Sequence, residues 1–331
     1  MDALSEVLRL VRLTGAVFLK AEFTAPWAVA SPPSHVLAGS LLPHSDHFVE
    51  YHLVVKGSCF IRVPGGEPVA LDEGDLVMLP RGDSHHLTSD AVSTVDAVSA
   101  AELRLPAYGD IVSYHSGGGG ALTQIVCGYL AIDRTLCASL IAALPRVLRV
   151  SARGGEVNAW LDTYMRFSLL ERGEERPGGA CVLSKLSELM FVEAIRRYVE
   201  SLPPGETGWL AGVGDPMVGK ALALMHRSPA SPWTVEDLGR SIGLSRSSLA
   251  ERFTEMVGQP PMQYLTQWRL TLAAHMLLTT RKAAALVAEA VGYDSEAAFS
   301  RAFRREFGAP PATWRRGTGH RAEIAMNASG A

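Results

Sequence analysis

Residues 292–308 read GYDSEAAFSRAFRREFG, and residues 243–258 read GLSRSSLAERFTEMVG. Leu249, Phe253 and Val257 of the upstream stretch stand fifty residues before Phe299, Phe303 and Phe307. Both stretches leave through the same device, GQPPMQYL in one case and GAPPATWR in the other. Each is preceded by a short helical segment and a glycine, TVEDLGRSIG and AAALVAEAVG. A helix, a tight turn with Gly and a second helix opened by a small polar cap (Ser245; Asp294 or Ser295) make a helix-turn-helix. The chain carries two in tandem.

Helical phase sorts the residues of each second helix. At about 100° per residue, Phe299, Ala302, Phe303 and Glu306 fall on one side with Phe307 beside them. Ala297, Arg301 and Arg304 fall opposite, and Ser300 and Arg305 lie at the margins. In the upstream copy Leu249, Phe253 and Met256 face inward, leaving Ser247, Ala250, Glu251 and Thr254 outward. Small outward residues near the start of a helix allow close approach, and outward Arg suits guanine edges in a DNA major groove, as Glu suits cytosine N4. Arg246, Arg305 and Arg315 are placed to neutralise phosphates. Between the copies, PPMQYLTQWRLTLAAHMLLTT reads as one helix of about 19 residues and about 28 Å, a rigid spacer that sets two recognition helices toward successive major-groove turns.

These stretches resemble the DNA-binding domain of AraC/XylS-type transcription regulators, a resemblance that covers essentially all of residues 215–316. It implies seven helices and operator contacts on Ser247, Ala250, Glu251, Glu296, Ala297 and Arg301, with Arg246, Ser248, Ser300, Arg304 and Arg305 completing the DNA-binding set. Double-stranded operator DNA is then the main partner, and RNA polymerase is a family-level expectation. Alanine and Glu at 250 and 251 depart from the Gln or Arg often found there, which leaves the first half-site open.

The charge distribution agrees. Residues 215–316 hold 13 Lys and Arg against 9 Asp and Glu, and residues 1–214 hold 17 against 24, within an overall balance of −3. The last third is the basic part. No run of about 18 uncharged apolar residues spans a bilayer, the N-terminus lacks a signal-peptide pattern, and four scattered cysteines (Cys59, Cys127, Cys137, Cys181) with no CxxC fit reduced thiols. A cytoplasmic protein without a membrane partner is expected.

From about residue 20 to 115, short alternating runs such as HFVEYHLVVKGSCFIRV lie between Gly, Pro and Asp turn signals. Period-two alternation predicts antiparallel strands in a small barrel or sandwich. The segment 74–85, GDLVMLPRGDSH, fits the second cupin motif, in which a Pro-x-Gly turn aims a histidine back into a barrel, and Glu50 and Gly57 keep the spacing of the first motif. Residues 1–200 resemble the cupin-type sensor domains of a subset of these regulators. The expected fold is therefore multidomain α+β: a cupin-like β-barrel with a helical segment, then an all-α double helix-turn-helix domain. The expected boundaries are 1–135 for the sensor, 136–202 for a helical, dimerising segment, 203–214 for a linker, 215–316 for the DNA-binding domain and 317–331 for a tail.

The barrel is expected to bind a small-molecule effector with Trp27, His52, Arg62 and His85. A divalent metal on His44, His47, Glu50, His52 and His85 is the alternative, since imidazole with carboxylate suits Zn, Fe, Mn or Ni; the interrupted HxH pattern of His44 and His47 argues against it. His86 joins the same candidate cluster. Cys59 reads either as a redox-sensing thiol or as a small core residue. The apolar face Leu183, Leu186, Leu189, Met190, Ile195 and Val199 suggests a homodimer helix. The function expected is a ligand-responsive regulator rather than an enzyme. A cupin metalloenzyme, a metal-sensing regulator and an effector-free DNA-architectural protein are the alternatives.

Overall fold

A computed structural model describes residues 2–10, 14–41, 47–92, 95–100, 111–132, 134–151 and 178–316. The chain divides into two compact units: Arg12–Arg134 with Leu144–Tyr198, and Val199–Ala331 with Met1–Val11 and Thr135–Ala143.

The first unit is built on two sheets. One contains β1 (Thr14–Thr24), β3 (Phe48–Lys56), β6 (Leu76–Leu79), β9 (Ile111–Gly117), β10 (Leu122–Ala131) and β11 (Leu148–Val150), in the order β11-β6-β3-β10-β1-β9. The other contains β2 (Ala28–Ser31), β4 (Ser58–Arg62), β5 (Val69–Asp72), β7 (His85–Thr88) and β8 (Val98–Ser99), in the order β5-β4-β7-β2-β8. Alternation works as the sequence requires: Leu19, Ala21, Val54, Val77 and Ile125 from one sheet meet Val29, Ile61, Leu71 and Leu87 from the other in a single apolar core. Among the described residues the two sheets are not joined edge to edge, so the expected barrel is an open sandwich of the cupin kind.

The turn between β3 and β4 explains the Glu50-to-Gly57 spacing. Gly57 has φ +78°, and a Cβ there would run into the Leu122 carbonyl, so the turn needs glycine. β3 presents two faces. Glu50, His52 and Val54 point one way, and Tyr51 points the other, where its hydroxyl meets Ser187 Oγ at 2.9 Å. Ser187 belongs to α4 (Gly179–Ser201), which buries Leu183, Met190, Phe191, Ala194 and Ile195. Exposed Val182 and Leu189 lie on its other side. The expected dimer face is thereby corrected: Met190 is 0% exposed and belongs to the core, while Leu189 faces out. Within the expected helical segment 136–202, residues 152–177 lie outside the described residues. Helix α2 (Ser34–Leu41) lies in the same unit, whereas nearly all of α3 (Arg134–Ala143) belongs to the second.

The second unit is helical. It holds α1 (Ala3–Leu10), α5 (Trp209–Gly214), α6 (Val218–Arg227), α7 (Val235–Ile242), α8 (Arg246–Val257), α9 (Pro261–Thr279), α10 (Ala284–Ala290) and α11 (Glu296–Phe307), with further helical residues at 311–316. α1 buries Ala3, Leu4 and Val7 and packs on α6. Its buried stripe belongs to the core of the helical unit. The expected linker is also shorter than 203–214. Residues 209–214 form α5, whose Trp209 and Leu210 are buried and whose Trp209 indole donates to Tyr264 Oη at 2.8 Å.

Candidate functional site

Each helix-turn-helix is assembled by local chemistry. Thr234 caps α7, accepting from the Asp237 amide, and Gly243 ends it in the left-handed region at φ 80°. Ser245 then caps α8 through the Ser248 amide, and Ser295 caps α11 through the Ala298 amide. Of the two caps left open by the sequence for α11, the structure uses Ser295. Both helices stop at a glycine with positive φ, Gly258 and Gly308. Leu249 and Phe253 anchor α8, and Phe299, Ala302 and Phe303 anchor α11. Phe303 lies 4.6 Å from Phe307 and 5.5 Å from Phe299, ring centre to ring centre. α9, 19 residues long, connects the two motifs.

The outward faces carry the residues expected to meet DNA. Arg246, Ser247, Ser248 and Glu251 are exposed on α8 with Ala250 half-buried, and Glu296, Ala297, Arg301, Arg304 and Arg305 are exposed on α11 with Ser300 half-buried. Glu306, expected inward, is exposed. Two arginines are employed structurally. Arg252 Nη2 holds Asp215 at 2.6 Å, and Arg269 donates to the carbonyls of Pro229, Ser231 and Gly292. Arg315, expected at a phosphate, instead donates to the Leu277 and Lys282 carbonyls. Its role is to close the second motif.

In the sandwich, three polar side chains converge in an otherwise apolar core. Glu50 and His52 come from β3 and His85 from β7, with side chains almost wholly buried. His52 Nε2 lies 2.8 Å from His85 Nε2, and His85 Nε2 lies 3.9 Å from Glu50 Oε2. Ser31 Oγ donates to Glu50 Oε2 at 2.9 Å, while Glu50 Oε1 has no partner. His52 Nδ1 contacts Cys127 Sγ at 3.0 Å, and His85 Nδ1 the Asp83 carbonyl at 3.2 Å.

The protons can be placed from these partners. A carbonyl only accepts, so His85 Nδ1 carries hydrogen and, in the neutral ring, Nε2 is a lone pair. His52 Nε2–H donates to it, and the Cys127 thiol donates to His52 Nδ1. Burial drives His85 down to about 4, with the nearby His86 assisting and Asp83 opposing. Burial, then the adjacent His85, holds His52 well below the ordinary imidazole range. Burial pushes Glu50 up to about 8 against the Ser31 hydrogen bond. The cluster is neutral near pH 7.

Other expected sensor residues lie elsewhere. His47 Nε2 donates to the Pro80 carbonyl at 2.7 Å. His44 lies outside the described residues. His86 points to the opposite side of β7 and is half-buried. Arg62 is exposed at the end of β4, which removes it from the interior, and Trp27 stacks on Phe23 at 4.3 Å within the core. Cys59 is buried, and burial followed by Asp75 and Asp72 pushes its thiol up to about 12; it is a core residue without a reactive thiolate. Sequence reading missed Ser31 and Cys127, which reach the cluster only through strand pairing. Cys127 stands opposite His52 in the β10–β3 register.

Comparison with known proteins matches the cupin family over residues 2–200 and a helix-turn-helix domain family over residues 238–317. An AraC-like transcription regulator of Streptomyces lividans is 34% identical over 324 residues, covering 96% of this chain and 98% of that protein. The HTH-type transcriptional regulator AlkR of Acinetobacter baylyi is 29% identical, covering 95% of this chain and 99% of that protein. Among solved structures, the DNA-binding domain of AdpA in complex with a target DNA is 29% identical over 32% of this chain and 96% of that one, with a TM-score of 0.31.

Proposed function

The chain belongs to the AraC-like transcription regulators, and from that premise we propose that ligand occupancy of the Glu50–His52–His85 cluster controls how a dimer of the chain grips its operator. The DNA-binding activity resides in the helical unit; the observation that carries the regulatory reading is the two-faced strand β3. Glu50 and His52 project into the sandwich core, and Tyr51, between them in sequence, reaches Ser187 of α4 from the opposite face. A ligand that shifts β3 therefore acts on α4 through one residue.

α4 is the element assigned to homodimerisation, through exposed Val182 and Leu189 with half-buried Leu186 between them. In this reading operator bases meet Ser247, Ala250 and Glu251 on α8, and Glu296, Ala297 and Arg301 on α11, with Arg246, Ser248, Ser300, Arg304 and Arg305 at flanking bases or phosphates. In this reading the protein acts on operator DNA in the cytoplasm, and RNA polymerase is its further partner. No described helix is long and apolar enough to cross a membrane.

The test is footprinting of the DNA beside its own gene, followed by titration of the protected site at several salt concentrations. A regulator protects one site, binds it more tightly than other DNA by roughly 4 kcal/mol or more, and loses affinity steeply with salt. A Leu189→Glu variant should lower the affinity and shorten the protected region. Protection that ignores sequence, or an unchanged footprint in that variant, refutes the reading.

A further inference from the structure

The two helix-turn-helix motifs have separate cores on one shared helix. The first half of α9 packs with the first motif: Trp268 stacks on His226 of α6 at 3.8 Å, and Tyr264 meets Phe253 of α8 at 5.7 Å, ring centre to ring centre. The second half packs with the second motif, where Leu270, Ala273 and Leu277 join Phe299 and Phe303 of α11. Arg269 stands at the changeover, between Trp268 and Leu270.

Its guanidinium reaches both sides. Nε donates to the Pro229 carbonyl at 2.7 Å and Nη2 to the Ser231 carbonyl at 2.8 Å, in the loop between α6 and α7. Nη1 donates to the Gly292 carbonyl at 3.3 Å, in the turn between α10 and α11. The same two segments touch. A Cβ on Gly292 would come within 2.8 Å of Ala230 Cα and 2.9 Å of its carbonyl oxygen. Gly243, the turn glycine of the first motif, differs: among the described residues nothing lies within 4 Å of the corresponding position. The first turn needs glycine for its φ of 80° alone. The second, at φ 86°, needs it also for the approach of the other motif's backbone.

Packing does not lock this junction. Beside Arg269 lies an open cleft of about 640 Å³, lined by Pro232, Ala288, Tyr293 and Glu296 among others. Hydrogen bonds must therefore supply the restraint, and arginine is suited to it, because five donors in one rigid plane can engage carbonyls on two loops at once.

We propose that Arg269 is the positioning residue that holds α8 and α11 in one mutual orientation, and so sets the number of base pairs that the chain accepts between its two half-sites. One inserted base pair moves a half-site by about 3.4 Å and turns it by about 35°. Two recognition helices held at a fixed angle cannot both follow such a shift. With the guanidinium gone, the second motif can turn about α9 against the first, and a range of spacings becomes acceptable.

The inference rests on the operator reading given above, in which both helices meet bases. The experiment uses the full chain and three versions of the footprinted operator: the natural one, and two with one base pair added or removed between the half-sites. The wild-type chain should bind the altered operators at least about tenfold more weakly, the scale of one lost base contact. In Arg269→Gln that ratio should fall to about threefold or less. Arg269→Lys, which keeps the charge but replaces the planar fork with one ammonium, should fall between them. The ratio is the decisive readout, since a lost phosphate contact or a weakened fold lowers affinity for all three operators by the same factor. Circular dichroism melts identify which variants are folded, and Arg269→Lys carries the comparison where Arg269→Gln does not fold. Wild-type binding that ignores sequence refutes the operator reading and the inference with it. Sequence-specific wild-type binding that tolerates the altered spacing, or a folded variant with the wild-type ratio, overturns the inference alone.

Discussion

Removing single arginines from α11 should weaken operator binding more than removing Glu251 from α8, and the surfaces of the two helices set the size of the difference. α11 exposes Arg301, Arg304 and Arg305. On α8, Glu251 and Glu255 are exposed, and Arg252 is engaged by Asp215 at 2.6 Å. An arginine that neutralises one phosphate contributes about 0.9 to the slope of log affinity against log salt. Between 50 and 200 mM salt that amounts to about half a log unit, or roughly 3.5-fold in affinity per contact. Arg305→Ala should lower the slope by about that 0.9. Arg301→Ala, at a base-facing position, should cost about 1–3 kcal/mol and relax specificity at one base pair. Arg304→Ala should fall between them. Glu251→Ala removes a like charge to phosphate, so it loses at most one contact to cytosine and gains electrostatically. The assay is fluorescence anisotropy on the footprinted site across a salt series, with single-base operator variants for Arg301→Ala. If Arg301→Ala and Arg304→Ala weaken binding no more than Glu251→Ala does, the assignment of grip to the second motif is wrong.

Two further predictions concern folding. His226 is stacked on Trp268 at 3.8 Å and bonded to Tyr264 Oη at 2.7 Å. Burial, opposed by the Ala3 main chain, lowers it from 6.5 to about 4. The unfolded chain takes up the proton first, so stability is full above pH 6.5 and declines as pH falls toward 4, by about 2 kcal/mol at pH 5. Urea midpoints of His226→Gln and wild type at pH 7 and 5 check this; an equal loss in both proteins contradicts it. Gly128 lies against the ring of Tyr51, where a Cβ would overlap Oη and Cζ. Gly128→Ala should destabilise the sandwich by about 1–3 kcal/mol through overpacking, and Tyr51→Phe by only about 1 kcal/mol through the lost hydrogen bond. Thermal melts giving the reverse order would show that Tyr51 does not fill that space.

How far the sequence could be read depended on how local the determining contact was. Both helix-turn-helix units were legible because caps, glycine stops and an i, i+4 apolar stripe lie within about sixteen residues each. Glu50 and His52 were legible as a pair because period-two alternation puts them on one strand face. His85 could be suspected from its Pro-x-Gly turn, but Ser31 and Cys127 join it only through the β2–β7 and β10–β3 registers, which no single segment encodes. Arg62 was misjudged for a related reason: parity along β4 could be read, but not which parity faces the core. The broad apolar face of α4 has the same ambiguity, because its sequence does not separate core Met190 from exposed Leu189. The stripe of α1 does not name its partner, since Leu4 and Val7 suit any apolar groove. The Trp209–Leu210 pair, following a Pro/Gly stretch, was the signal that the linker ends before 209.

The energetic demands on the proposed switch are modest, and this argues for β3 as its moving part. A tenfold change in operator affinity requires about 1.4 kcal/mol of differential binding between two arrangements of the sensor. One buried hydrogen bond contributes about 0.5–1.5 kcal/mol net, so the Tyr51–Ser187 contact is of the right size by itself. A ligand anchored on three buried side chains can supply several times that amount. The limiting quantity is therefore the stiffness of the path between site and helix. Here that path is short: Glu50, Tyr51 and His52 are consecutive, the strand is held on both sides by β6 and β10, and Gly128 on β10 leaves Tyr51 its space without slack. A strand so confined moves with its neighbours, and it transmits a displacement at His52 to Ser187 where a loop would absorb it. Tyr51→Phe should accordingly uncouple ligand binding from operator affinity while leaving each intact, whereas loss of either activity would place Tyr51 in the fold alone.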